Sequence, residues 1–169
     1  MRKIFLFVLA SMPILGFSQE LALDTDNARV NFDFVSEGVA GTVGGVEATI
    51  SFNPLDLANS KIEGTADVTT LSTGNNTRDK NLKSGSFFDA DKYPTMKFKS
   101  TLLKSKGGKY FAEGDLTIAS VTQPVLFEIT LTDREMLLTT LINASDFKVS
   151  PKKEDKSDVS ITVTIPMNQ

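Results

Sequence analysis

The side chains with the clearest chemical potential are Arg78 and Asp79, an adjacent guanidinium and carboxylate. A guanidinium presents a planar fork of donors that suits a phosphate or other anionic group. The same pair can instead latch a short helix to its surroundings through hydrogen bonds, and the polar segment around it favours that reading. Two D-x-D patterns, Asp24-Thr25-Asp26 and Asp89-Ala90-Asp91, suggest calcium at first sight. Neither has the turn glycine and downstream bidentate Glu that a calcium loop requires, so no metal is expected. The sequence has no Cys and no His. Thiolate zinc sites, disulfides, cysteine nucleophiles and imidazole acid–base pairs are therefore excluded. No cofactor is expected.

These residues sit on a chain whose dominant period is two. Val30, Phe32 and Phe34 alternate with polar neighbours. So do Val46, Ala48, Ile50 and Phe52, then Ile62, Gly64, Ala66 and Val68, and then Met96, Phe98, Ser100 and Leu102. Tyr110, Ala112, Gly114, Leu116 and Ile118 follow, then Val125, Phe127, Ile129 and Leu131, and finally Val159, Ile161, Val163 and Ile165. Each run predicts a strand with one apolar and one wet face. Residues 135–143 are β-like but apolar on both faces, which leaves their orientation open. About eight strands at hairpin spacing close into a barrel or stack as a sandwich. Turn chemistry at Gly107-Gly108, Ser120 and Thr132-Asp133-Arg134 separates them.

Two stretches break the period. Residues 53–59 allow one helical turn, and Asn75 to Lys83 reads as a short helix with an Asn or Thr cap. The loop that follows carries Phe87-Phe88 in polar surroundings, which suits either a plug over an apolar opening or a satellite cluster on the outside. Residues 152–158 read as a solvated charged loop.

The first 18 residues have the order of a signal peptide. Arg2 and Lys3 precede an apolar run to Phe17, and Gly16 and Ser18 fit small-x-small cleavage before Gln19. The expected mature chain, 19–169, is a single domain exported to the periplasm. It is acidic: the full chain has 18 basic and 21 acidic residues, and the leader removes only basic ones. Nucleic acid is accordingly not an expected partner. Twelve Phe against two Tyr and no Trp imply a dry core or an apolar pocket.

An ordered set of motifs resembles the YceI-like family. It runs from Thr73-Gly74-Asn75-Asn76-Thr77-Arg78-Asp79 through Phe87-Phe88-Asp89-Ala90, Tyr93-Pro94 and Lys97-Phe98-Lys99-Ser100-Thr101. Gly114-Asp115-Leu116-Thr117-Ile118, Val121-Thr122, Pro124-Val125 and Asp146-Phe147 continue it. Where the common pattern has an Arg and a Gly near the last strand, this chain has Ala144 and Lys148.

The resemblance implies an all-β, eight-stranded antiparallel, lipocalin-like barrel with one or two short helices. It also implies an internal pore for a polyisoprenoid or quinone-like lipid, held without catalysis. Inward positions then become candidate ligand contacts: Phe32, Phe34, Ala48, Ile50, Phe98, Ala112, Gly114, Phe127 and Ile129. Arg78 and Asp79 are candidates for a head-group contact or a latch. Pairing into a homodimer is left open.

Two other classes compete. A lipocalin-like isomerase or dehydratase needs inward acids or bases. The alternation turns Glu47, Glu63, Asp67, Glu113, Asp115 and Glu128 outward and leaves only Tyr110 inside. A structural or adhesive surface module predicts a fully packed interior and an exposed apolar patch.

Overall fold

The computed structural model describes residues 21–149 and 157–168. The expected leader and most of the charged loop at 152–158 lie outside the described residues. Eight antiparallel strands form a closed barrel in sequential order. They are β1 (Arg29–Phe34), β2 (Val39–Ser51), β3 (Lys61–Ser72), β4 (Thr95–Lys106), β5 (Lys109–Ile118), β6 (Val121–Leu131), β7 (Glu135–Asn143) and β8 (Asp158–Pro166). Closure comes from β1 pairing with β8, with Phe32 opposite Ile161 and Phe34 opposite Val159. A closed barrel leaves no strand edge unpaired. One α-helix, α1 (Asn76–Lys83), connects β3 to β4. A single 3-10 turn at Leu57–Asn59 falls within the expected break at 53–59.

Local chemistry explains the connections. Gly107 and Gly108 both have positive φ, at 61° and 78°, so the β4–β5 hairpin uses a two-residue turn of the kind glycine favours. Thr132 Oγ1 accepts the backbone N–H groups of Arg134 and Glu135 and so shapes the β6–β7 turn. Asn75 caps α1, its side chain accepting from the N–H groups of Thr77 and Arg78. Lys148 takes a left-handed φ of 59°. That conformation is costly for a residue with a Cβ.

Strict alternation fails in β4. Ser100 pairs with Gly114, but Leu102 pairs with Glu113 and Leu103 with Ala112. One extra residue therefore enters β4 as a bulge. Leu102, expected inside, is 48% exposed, and Leu103 takes the inward place at 5%. The orientation of β7 is now defined: Met136, Leu138 and Ile142 face inward, while Leu141 is exposed.

The interior is filled unevenly. The lower end is packed by Phe52, Ile62, Leu103, Ala112, Phe127, Ile129, Met136, Leu138 and Ile165. Leu21 and Leu23 pack against this cluster from the N-terminal segment. That segment is fastened by bonds from Leu21 N to Phe52 O (3.3 Å) and from Asp24 N to Pro166 O (2.8 Å). The barrel is thus stoppered at the end where β2, β4, β6 and β8 finish. The other end lies under α1 and the Phe87-Phe88 loop.

Candidate lipid-binding site

An apolar cavity of about 560 Å³ occupies the end of the barrel beneath α1. Its walls come from β1, β2, β7 and β8, through residues such as Phe32, Phe34, Val43, Ile142, Val159 and Ile161. Leu82 of α1 and both Phe87 and Phe88 border it from above. Phe88 also packs against two core clusters, one around Leu116 and Ile142 and the other around Val43 and Leu71. Of the two readings of the paired phenylalanines, the geometry is that of a plug over an apolar opening. Polar groups are confined to the rim: Glu37, Asn75, Thr77, Arg78 and Asn81. A second, smaller cavity of about 100 Å³ lies deeper, bordered by Ala48, Ile50, Gly64, Phe98 and Phe127 among others.

The candidate residues separate by depth. Phe32 and Phe34 border the large cavity. Ala48, Ile50, Phe98 and Phe127 border the small one. Ala112, Gly114 and Ile129 border neither. Ile129 and Ala112 belong to the packed lower cluster, with Ala112 fully buried. Gly114 is inward, but its small size is already used. A Cβ there would stand 2.4 Å from the Lys99 carbonyl oxygen and 2.7 Å from the Phe98 ring. Gly114 is therefore the seat on which the Phe98 ring lies, and it offers no open space. Gly41 does the same for Phe32, with a Cβ 2.4 Å from Cζ of that ring.

Several cavity residues were not singled out from the sequence, among them Val43, Leu71, Met96, Ile118, Ala144 and Val149. Met96 and Ile118 carried the alternation signal but no cue to their depth. Val43 and Leu71 follow glycine-rich or bulged stretches where the period breaks.

Arg78 and Asp79 meet through a third residue. Arg78 Nε donates to Thr73 Oγ1 (2.8 Å), and a terminal guanidinium nitrogen donates to the Thr73 carbonyl (3.0 Å). The Thr73 hydroxyl in turn donates to Asp79 Oδ1 (2.5 Å), which also accepts the Thr73 N–H (2.8 Å). The Thr73 bonds, chiefly that of its hydroxyl, hold the Asp79 carboxyl below its ordinary value of 3.8 despite burial. This fastens the start of α1 to the end of β3, while the Arg78 side chain also borders the cavity rim.

Two predictions follow from that relay. Arg78→Ala is expected to lower stability by about 1–3 kcal/mol, through the loss of charge-assisted bonds to Thr73. Its folded fraction should still take up lipid, which denaturant midpoint and lipid occupancy measured together will show. An empty Arg78→Ala protein of unchanged stability would make Arg78 a head-group contact instead. Asp79 has a folded pKa below its unfolded one. Its contribution is therefore present above the unfolded value of 3.8 and is lost as pH falls through the folded value. Asp67, lowered mainly by the Thr69 hydroxyl, acts with the same sign. Asp79→Asn should be the less stable protein at pH 7 and should lose less than the wild type on acidification to pH 3. Equal acid losses in the two proteins would remove Asp79 from the account.

The acidic side chains expected outside are outside. Glu63 pairs with Lys99 (3.1 Å) and Glu128 with Lys109 (2.7 Å), and Glu113 pairs with Lys104. Tyr110, the one inward group available for catalysis, packs edge-on against Phe52 with ring centres 5.5 Å apart and borders neither cavity. Among the described residues no cluster of three or more Asp or Glu could hold a metal ion.

Comparison with known proteins decides the family. The family model for the YceI-like domain matches residues 21–168. The chain belongs to the YceI-like family. A UPF0312 protein of Vibrio parahaemolyticus is 33% identical over 129 residues, covering 73% of this chain and 68% of the relative. Protein YceI of Escherichia coli is 35% identical over 108 residues, 62% of this chain and 56% of the relative. The aligned region thus spans about half to two-thirds of these relatives. Among solved structures, Burkholderia cenocepacia BcnA superposes with a TM-score of 0.74 at 22% identity, covering 86% of this chain and 99% of that one. A polyisoprenoid binding domain from Saccharophagus degradans superposes with a TM-score of 0.59 at 13% identity, over 88% and 99% of the two chains. At these identities the likeness is one of fold.

Proposed function

We propose that this YceI-like barrel is a non-catalytic carrier that holds an isoprenoid or similar amphiphilic lipid, tail inward, after export to the periplasm. The observation that carries the reading is the large apolar cavity with polar groups only at its rim. Each methylene transferred from water into such a space contributes about 0.8 kcal/mol, so a prenyl tail needs no strong polar anchor. Asn75, Thr77, Arg78 and Asn81 lie where the head group of a tail-inward lipid would emerge. The polyisoprenoid binding of the Saccharophagus domain supports the same ligand class. The leader-like order of residues 2–18 supports export.

The competing readings fit less well. A dry surface module has no use for a cavity of about 560 Å³. An isomerase or dehydratase would need an acid or base inside, and Tyr110 borders neither cavity.

The experiment is mass analysis of protein purified from its native host after export. The expected result is a chain starting at Gln19 with about one apolar lipid bound. A chain that retains residues 1–18 in the membrane fraction would overturn the export reading. Protein that holds no lipid and extracts none from native membranes would overturn the carrier reading.

A further inference from the structure

No strand of the barrel is an edge strand, but one of its ladders is short. β6 and β7 pair from Leu131 opposite Met136 up to Glu128 opposite Thr139. This pairing closes the wall at the stoppered end. Above it, residues 121–127 of β6 keep their partners on β5, and residues 140–143 of β7 keep theirs on β8, but the two strands no longer pair with each other. The wall therefore carries a slit that starts at the end holding the large cavity. Pro124 of β6 lies along it. Proline has no N–H to give, and within a sheet it belongs where a ladder bond is missing.

Residues 144–149 fill this slit as a wedge. Phe147 is 2% exposed, and Ala144 and Val149 are buried in the same cluster, against which Val121 and Val125 of β6 pack. Ala144 and Val149 border the large cavity, and no residue of β6 does. Over that sector the wedge serves as the cavity wall in place of the strand. On the outside, Leu126 of β6 and Leu141 of β7, on the two strands that flank the slit, are exposed. The wedge belongs to no ladder. It makes turn bonds within itself, such as Phe147 N–H to the Ala144 carbonyl (3.3 Å), and the Gln123 side-chain amide donates across to the Asp146 carbonyl (3.2 Å).

We infer that lipid enters and leaves the barrel sideways, through the slit between β6 and β7, when this wedge moves out. The inference rests on the lipid-carrier reading and adds the route to its site. Two arguments favour the slit over the mouth. A segment outside the ladders opens at less cost than paired strands do, whereas α1 over the mouth is fastened by the Thr73 relay. A slit that begins at the rim also lets the head group of an amphiphile stay in water throughout. Its tail meanwhile passes between Leu126 and Leu141, so neither end is moved into the wrong phase.

The test is a reversible bridge across the slit. The chain has no Cys, so Gln123→Cys with Asp146→Cys introduces its only two thiols. They are joined by a bis-methanethiosulfonate spacer, which dithiothreitol removes. Lipid-free protein is mixed with phosphatidylcholine vesicles carrying tritiated geranylgeraniol, and the rate of uptake is read before and after reduction. The bridged protein is expected to load about tenfold more slowly or worse, and reduction should restore the rate. Lys104→Cys with Glu113→Cys, bridged in the same way across the paired β4 and β5, should load at the same rate before and after reduction. In Phe147→Val the wedge is smaller, and release of loaded prenol to empty vesicles should be about fivefold faster or more. Equal rates with and without the bridge across the slit would overturn the lateral route and leave the carrier reading standing. So would equal slowing by the bridge between β4 and β5. A folded Phe147→Val protein that releases prenol no faster would overturn the wedge as the closing element. Wild-type protein that takes up no prenol would overturn the carrier reading itself.

Discussion

Val159→Trp is expected to empty the barrel of lipid by at least tenfold while leaving it folded. Val159 lies on β8, opposite Phe34 on one side and Ile142 on the other, and borders the large cavity. An indole there projects into open volume, so it displaces ligand and displaces no core side chain. Filling a void also restores dispersion contacts that its lining lacks, so the denaturant midpoint should hold or rise. The control is Ala112→Trp. Ala112 is fully buried between Leu103 of β4 and Phe127 of β6, in the packed end of the barrel. No space is available there, and overpacking should cost about 1–3 kcal/mol or more. Its folded fraction should bind lipid normally. Retained lipid in Val159→Trp, or lost lipid in a stable Ala112→Trp, would put the binding space at the opposite end of the barrel from the one described.

That contrast marks the boundary of what the primary structure discloses. Alternation assigns a face, and it did so for Phe32, Phe34, Ile50, Phe98 and Phe127, all of which turn inward to border a cavity. It does not assign a depth. Depth depends on strand register and on which end is stoppered, and both are long-range. Ala112 and Gly114 were candidates because they lie on the inward face of their strand. Only the pairing of β5 with β4 shows that Gly114 is covered by Phe98, and only the pairing of β5 with β6 sets Phe127 beside Ala112. The β4 bulge is invisible for a related reason. Leu102 and Leu103 are both apolar, so either can face inward, and the neighbouring strand decides between them. By contrast, α1 and its Asn75 cap were legible because capping is local. The plug was half legible. Two phenylalanines in a polar loop must be covered by something, but which surface covers them is a tertiary matter.

Phe52→Ala is expected to cost about 3–5 kcal/mol, the largest stability loss among the substitutions considered. Phe52 directly follows β2 and is completely buried, with its ring edge-on to Tyr110. Its carbonyl also accepts the Leu21 N–H, so the ring sits where the barrel floor meets the N-terminal segment. Truncation would leave a void lined by groups that cannot collapse inward, because the barrel wall is a continuous hydrogen-bonded cylinder. Urea unfolding measures the loss. Lipid occupancy of the surviving folded protein carries the functional content. Phe52 borders neither cavity, and none of the buried residues in its cluster borders the large one. Occupancy per folded molecule should therefore match the wild type. If the variant instead loses lipid while still folded, ligand space and core form one cooperative unit.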